Sequence, residues 1–242
     1  PATASDTSGA VLAAQPDGSF LVSGENKNGE TTLTVETDLE GIAAIRIEAL
    51  TDPSLPQNGP GRASDGNFVL TELQLSAAPK AEPDKARPVG LHGALADFSQ
   101  AEFDVAKAVD GALDDQRGWA VSPRTGLIHW ATFQAKEPVG AAGGTVLTFK
   151  IHHRFQNVWT LGRFRISVAR RADVGLGLPE PFRAVLATAP EVRTQAQKDL
   201  ILNYHKAMDQ GWQDRQAALA AARAPIPADP ARAALLARIE AL

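Results

Sequence analysis

Residues 42–50 read Ile42-Ala43-Ala44-Ile45-Arg46-Ile47-Glu48-Ala49-Leu50. In an extended chain Ile45, Ile47 and Ala49 fall on one face and Arg46 and Glu48 on the other, the period-two pattern of a strand with one face toward a core. The same grammar repeats on both sides. Upstream, residues 19–23 form a candidate strand closed by the turn-rich run Gly24-Glu25-Asn26-Lys27-Asn28-Gly29, and residues 31–36 alternate next. Downstream, after a Pro- and Gly-rich loop over residues 51–67, residues 68–75 alternate with Phe68, Leu70 and Leu73 or Leu75 inward. Residues 79–88 are a charged connector, and strands are expected at 89–98, 120–121, 128–133, 146–152 and 164–169. Roughly eight short strands at this spacing predict a mainly β fold, a jelly-roll β-sandwich over residues 11–171. A loop as long as 51–67 inside such a domain is commonly functional.

The period changes after Ala172, and residues 172–242 read as a helical tail, in outline a helical hairpin. Residues 181–186 suit a short helix. Thr194-Gln195-Ala196-Gln197 is a capping box, and Ile201, Tyr204, Met208 and Trp212 then recur at three- and four-residue steps. Pro225-Ile226-Pro227 stops that helix. Asp229 and Pro230 open another, with Leu235, Leu236 and Ile239 on its apolar face. A start at Pro1 and a helix cut at Leu242 suggest a piece of a longer protein.

Composition excludes several functions. The 24 basic and 28 acidic residues leave a net charge of −4, unsuited to a nucleic-acid partner. No apolar run approaches the ~20 residues of a membrane span. Cysteine is absent, which removes disulfides, thiolate nucleophiles, zinc–thiolate sites and c-type haem attachment.

No catalytic motif emerges. His92, His129, His152, His153 and His205 show no metal-ligand spacing, and His152 and His153, adjacent in a strand, face opposite ways. There is no G-x-S-x-G elbow. Residues 140–144 are Gly-rich but precede a strand, so they form a turn and no phosphate cradle. The expectation is a protein that is not an enzyme. Asp110-Gly111-Ala112-Leu113-Asp114-Asp115 has two readings, an oxygen-rich turn suited to Ca²⁺ or a plain Asp-Gly hairpin turn.

Two stretches carry a resemblance. One is residues 55–72, running Leu55-Pro56-Gln57-Asn58-Gly59-Pro60-Gly61-Arg62 through Asp65-Gly66-Asn67-Phe68 to Leu70-Thr71-Glu72. The other joins Ala96-Asp97-Phe98-Ser99-Gln100, Asp110-Gly111, Gly118-Trp119-Ala120 and Leu161-Gly162-Arg163-Phe164-Arg165-Ile166-Ser167. Together they resemble the planctomycete cytochrome c family, large exported proteins that join a haem domain to domains of unknown function. The haem motif of such a parent is absent here. The same region is similar to galactose-binding-like, discoidin-type sandwiches, with a Glu-bearing strand and an Asp-Gly turn leading to a core Trp, here Glu72, Asp110-Gly111 and Trp119. That resemblance implies a structural Ca²⁺ held by Glu72, Asp110 and Asp115, although the Glu strand comes first and the spacing to Trp119 is longer than usual. It also implies a periplasmic or cell-surface location.

Sandwich lectins stack sugars on exposed aromatic rings and bond their hydroxyls with polar side chains. Trp159 with Arg154 and Asn157 is the first candidate site, and Trp130 with His129 the second; for Trp159 ordinary packing is the competing reading. Arg62 either clamps its loop to a neighbouring domain or faces a ligand. The expected function is a non-catalytic carbohydrate-binding-like module that binds a polysaccharide or glycan. The alternative is a structural domain packing against other domains of the parent haem protein.

Overall fold

At residues 42–50 Ile45 and Ile47 turn into the core as read, but the opposite face is covered as well, with Arg46 and Glu48 buried and paired at 3.4 Å. The computed structural model describes residues 2–113, 116–171, 182, 185, 186, 188–208 and 210–223. Eleven strands occur among them: β1 (Ala2–Asp6), β2 (Ala10–Ala14), β3 (Phe20–Gly24), β4 (Gly29–Thr37), β5 (Ile42–Ala49), β6 (Glu72–Pro79), β7 (Arg87–Val89), β8 (Leu91–Ala96), β9 (His129–Val139), β10 (Thr145–His153) and β11 (Arg163–Ala169). They form two antiparallel sheets, one in the order β1-β4-β10-β6-β7 and one in the order β2-β3-β11-β5-β9-β8.

The sheets bury their facing sides. Leu33, Leu73, Leu75, Leu147, Phe149 and Ile151 come from the first, and Ile45, Ile47, Ala131, Phe133 and Phe164 from the second. Each of these leucine, isoleucine and phenylalanine side chains contributes about 1.5–3 kcal/mol by leaving water. Trp119 joins them as the sequence suggests, fully buried, edge-on to Phe68 at 5.1 Å and with its indole N–H on the Phe98 carbonyl at 2.8 Å.

Residues 68–71 depart from expectation, since the ladder of β6 begins only at Glu72. Their backbone is bonded piecemeal. Val69 donates to Trp159, Leu70 exchanges bonds with Trp119, and Thr71 donates to His152, each at 2.9 Å. Ala120 and Val121, expected as a strand, lie buried outside any ladder.

The 51–67 loop folds back on itself. Gly61 passes so close to Asn67 that a Cβ would stand 1.9 Å from its carbonyl oxygen. The Arg62 guanidinium donates to the carbonyls of Gly24 (2.6 Å) and Glu25 (2.7 Å), so it clamps this loop to the β3–β4 turn. Residues 140–144 form the turn between β9 and β10.

The chain divides into two compact units, Pro1–Ala187 and Thr188–Leu242. The expected boundary at 171/172 adjoins residues 172–181, which lie outside the described residues. In the second unit, α1 (Gln195–Met208) and α2 (Gln210–Arg223) share the stripe that the sequence assigns to one helix. Gly211, a weak helix former, lies beside the break. The capping box forms, with the Thr194 hydroxyl accepting from Gln197 N at 3.3 Å and Gln197 Oε1 from Thr194 N at 2.9 Å. Lys206 sits 4.8 Å over the Trp212 ring. The helix expected from Asp229 onward lies outside the described residues. Among those described, no helix is long and apolar enough to cross a membrane.

Candidate ligand groove

Register decides which polar side chains meet. On β10, His152 lies opposite Glu30 of β4 on one side and Glu72 of β6 on the other, and Lys150 lies opposite Thr32 and Gln74. Alternation turns all of these to the outer face of the five-stranded sheet, because Leu73, Leu75, Phe149 and Ile151 turn inward. A groove of about 610 Å³ runs along β6 there. Gln74, Ser76, Thr148 and Lys150 line its floor, Pro88 to Leu91 one wall, and Glu72, Asp110 and Gly111 one end.

Glu72 is the buried acid of this groove, 4% exposed. Burial, reinforced by the charge of Asp110, pushes its carboxyl up to about 7, although Oε2 accepts the Gly111 N–H at 3.3 Å. Asp110 caps its own turn, accepting from Ala112 N at 2.9 Å, and pairs with Lys107 at 3.2 Å. Gly111 follows at φ +81° in a bend that comes after a 3₁₀ turn, Val105–Val109, and does not join two paired strands, so it is not a hairpin turn.

Beside Glu72, the His152 Nε2 lies 3.2 Å from Gln74 Oε1, and Nδ1 lies 3.7 Å from Glu30 without a hydrogen bond. Burial holds the His152 imidazole below its usual range against the pull of Glu30. Partial burial raises the Glu30 carboxyl, but Lys150, bonded to it at 2.9 Å, outweighs that and holds it low. His153 faces the core. Its Nε2 accepts from Leu161 N at 3.2 Å, and complete burial lowers it to about 4.

The residues expected to bind sugar lie elsewhere. Trp159 is half-buried and meets Phe155 edge-on at 5.7 Å, and Phe155 meets Phe103 in the same way at 5.2 Å. Asn157, at φ +77°, exchanges two hydrogen bonds with Asn28 across the adjacent loops, at 3.1 and 3.2 Å. Arg154 is exposed at a second cavity of about 560 Å³ at the end of β10, shared with Asn28, Gln116 and His153.

His129 is fully buried, with Nδ1 2.9 Å from Asp97 and Nε2 2.8 Å from the Arg124 carbonyl, so both ring nitrogens are engaged within the protein. Trp130 is 7% exposed and lies under the Arg46 guanidinium at 5.0 Å. As placed, neither offers a free face to a sugar. Packing and clamping account for them, as for Arg62.

Of the expected calcium ligands, Glu72 and Asp110 come together and Asp115 lies outside the described residues. Among the described residues no three acidic or imidazole groups are arranged to hold a metal. Ca²⁺ takes six to eight oxygens, and the two described carboxylates accept from Gly111, Ala112 and Lys107. Alternation at β6 and β10 was visible in the sequence; that their outer faces share one groove was not. No family model, no curated protein and no solved structure matches the chain.

Proposed function

We propose that this protein is a non-catalytic binding module that takes a glycan in the groove along β6. The observation that carries the reading is the groove floor. Gln74, Ser76 and Thr148 are neutral hydrogen-bonding groups on two neighbouring paired strands, beside the ammonium of Lys150. With Gln74 Oε1 on His152, its amide N–H groups are left for a ligand. Such a set suits the hydroxyls of a sugar, and rigid strands hold it ready at little cost in ordering.

The finer name, a jelly roll of the galactose-binding kind, belongs to the same reading. It draws support from a chain that passes between sheets at β1–β2, β3–β4, β4–β5, β5–β6, β7–β8, β9–β10 and β10–β11. Membership in a longer exported protein of the cytochrome c type, at the cell surface or in the periplasm, rests on the sequence resemblance alone. The reading needs no metal. A calcium ion at Glu72, Asp110 and Asp115 would be an addition to it, tested by melting in excess Ca²⁺ against chelator, where equal midpoints dismiss the ion.

A polysaccharide pull-down tests the function. The wild-type chain is expected to bind at least one glycan, with binding weakened about fivefold or more in Gln74→Ala combined with Thr148→Val. Binding that survives this double variant but fails in Trp159→Ala would move the site to the loop around Asn157. Absence of binding to every polysaccharide would favour the alternative, a domain that packs against other parts of its parent.

A further inference from the structure

Lys136 lies where two cavities meet. The groove along β6 and a neighbouring cavity of about 480 Å³ share Pro88, Val89, Gly90 and Lys136 in their walls. The backbone of Lys136 donates to the Gly90 carbonyl at 2.8 Å, and its side chain lies over Gly90, where a Cβ would stand 2.9 Å from Lys136 Cδ. The missing side chain at position 90 is thus what allows the lysine stem to cross here. Arg87 lines the neighbouring cavity; opposite Ala77 in the ladder, it stands on the other face of the sheet from Gln74 and Ser76, and Lys136 at the edge borders both cavities.

Both cations are exposed, and among the described residues neither has an ion-pair partner. They differ in this from Lys150 of β10 and from Lys80, just past β6, which pair with Glu30 at 2.9 Å and with Glu36 at 2.7 Å. One acidic side chain, Glu137, shares the cavity of Arg87. Two free cations beside one acid suit a single negative charge per sugar. A densely sulfated chain would instead run its charges past Glu137, Asp110 and Glu72.

We infer that the glycan is a uronic-acid polymer, with one carboxylate seated at Lys136 and Arg87 and sugar hydroxyls on Gln74, Ser76 and Thr148. This rests on the groove being the glycan site. An Arg fork and an ammonium are both natural carboxylate partners.

The experiment compares polygalacturonate, its fully methyl-esterified form and a neutral glucan by titration calorimetry. The protein is taken as wild type, Lys136→Gln, Arg87→Gln, the double variant, and Lys27→Gln as a control on the β3–β4 turn. Polygalacturonate is expected to bind best, with a loss of about threefold in each single variant, about tenfold in the double and none in Lys27→Gln. Esterification is expected to weaken wild-type binding by a similar amount, because it removes the charge and keeps the backbone. Equal affinity for the acid and ester forms, unchanged in the double variant, would overturn the uronate assignment while leaving the glycan groove in place. No binding to any of the three polymers, with the fold intact by circular dichroism, would overturn the uronate assignment, and the glycan groove as well if the wider polysaccharide pull-down is negative.

Discussion

The backbone N–H of Gly111 donates to Glu72 Oε2 at 3.3 Å, so a turn 39 residues further along the chain closes one end of the groove on a buried carboxyl. The carboxyl is raised to about 7 from an ordinary 4.5, mainly by burial. The folded state therefore holds the Glu72 proton more tightly than the unfolded chain does. Its contribution to stability is full below about pH 4.5 and is lost as pH rises through about 7. Glu72→Gln, neutral at every pH, is expected to match wild type near pH 4 and to exceed it at pH 8, by at most about 3 kcal/mol. Urea unfolding at the two pH values checks this. A variant weaker than wild type at pH 8 would mean that the carboxylate is wanted as a charge, as a bound cation would require.

Asp97 holds His129 Nδ1 at 2.9 Å with one oxygen and the backbone N–H of Trp130 at 2.8 Å with the other. Asp97→Ala strands both partners in the interior and is expected to cost about 3 kcal/mol. Chemical denaturation measures the loss. Glycan affinity of the protein that remains folded should stay unchanged, because this pair is remote from the groove lining.

A methyl group at position 61 has nowhere to go, with Asn67 O 1.9 Å from an ideal Cβ. Gly61→Ala is expected to push the two limbs of the 51–67 loop apart and to destabilise the protein by about 2–3 kcal/mol. Limited proteolysis should then cut within residues 51–67 faster than in wild type. An unchanged cleavage rate and midpoint would show that the limbs separate freely.

Trp159 packs edge-on to Phe155, and its carbonyl accepts from Val69 at 2.9 Å. Trp159→Ala is expected to lower stability by roughly 2 kcal/mol, less than for a fully buried ring, and to leave glycan affinity within about twofold. Thermal melting and calorimetry on one preparation separate the two effects. A loss of binding without a loss of stability would make the ring a sugar platform.

Several strands were plain from alternation alone. Residues 31–36, 42–50, 146–152 and 164–169 correspond to β4, β5, β10 and β11, whose inward residues are mostly β-branched, leucine or aromatic. By contrast β1 and β2, Ala-rich and short, had no such signal. They are strands because β4 and β3 offer them an edge to pair with. The short β7 carries Pro88 and survives as an edge strand, where a missing N–H is tolerated.

What the sequence determined by itself is the mainly β class, the opposite facing of His152 and His153, the turn at residues 140–144, and the capped start of α1. Each of these depends on neighbours within a few residues, through backbone preference or the strict alternation of side chains. Only the tertiary structure decided that Glu72 would be buried beside Asp110, that Gln74 and Thr148 would share a floor, and that His129 and Trp130 would be enclosed. Those outcomes depend on which strand pairs with which and in what register. Pairing is chosen by the packing of the whole core against the entropy of closing long loops, and no short stretch of sequence carries that balance.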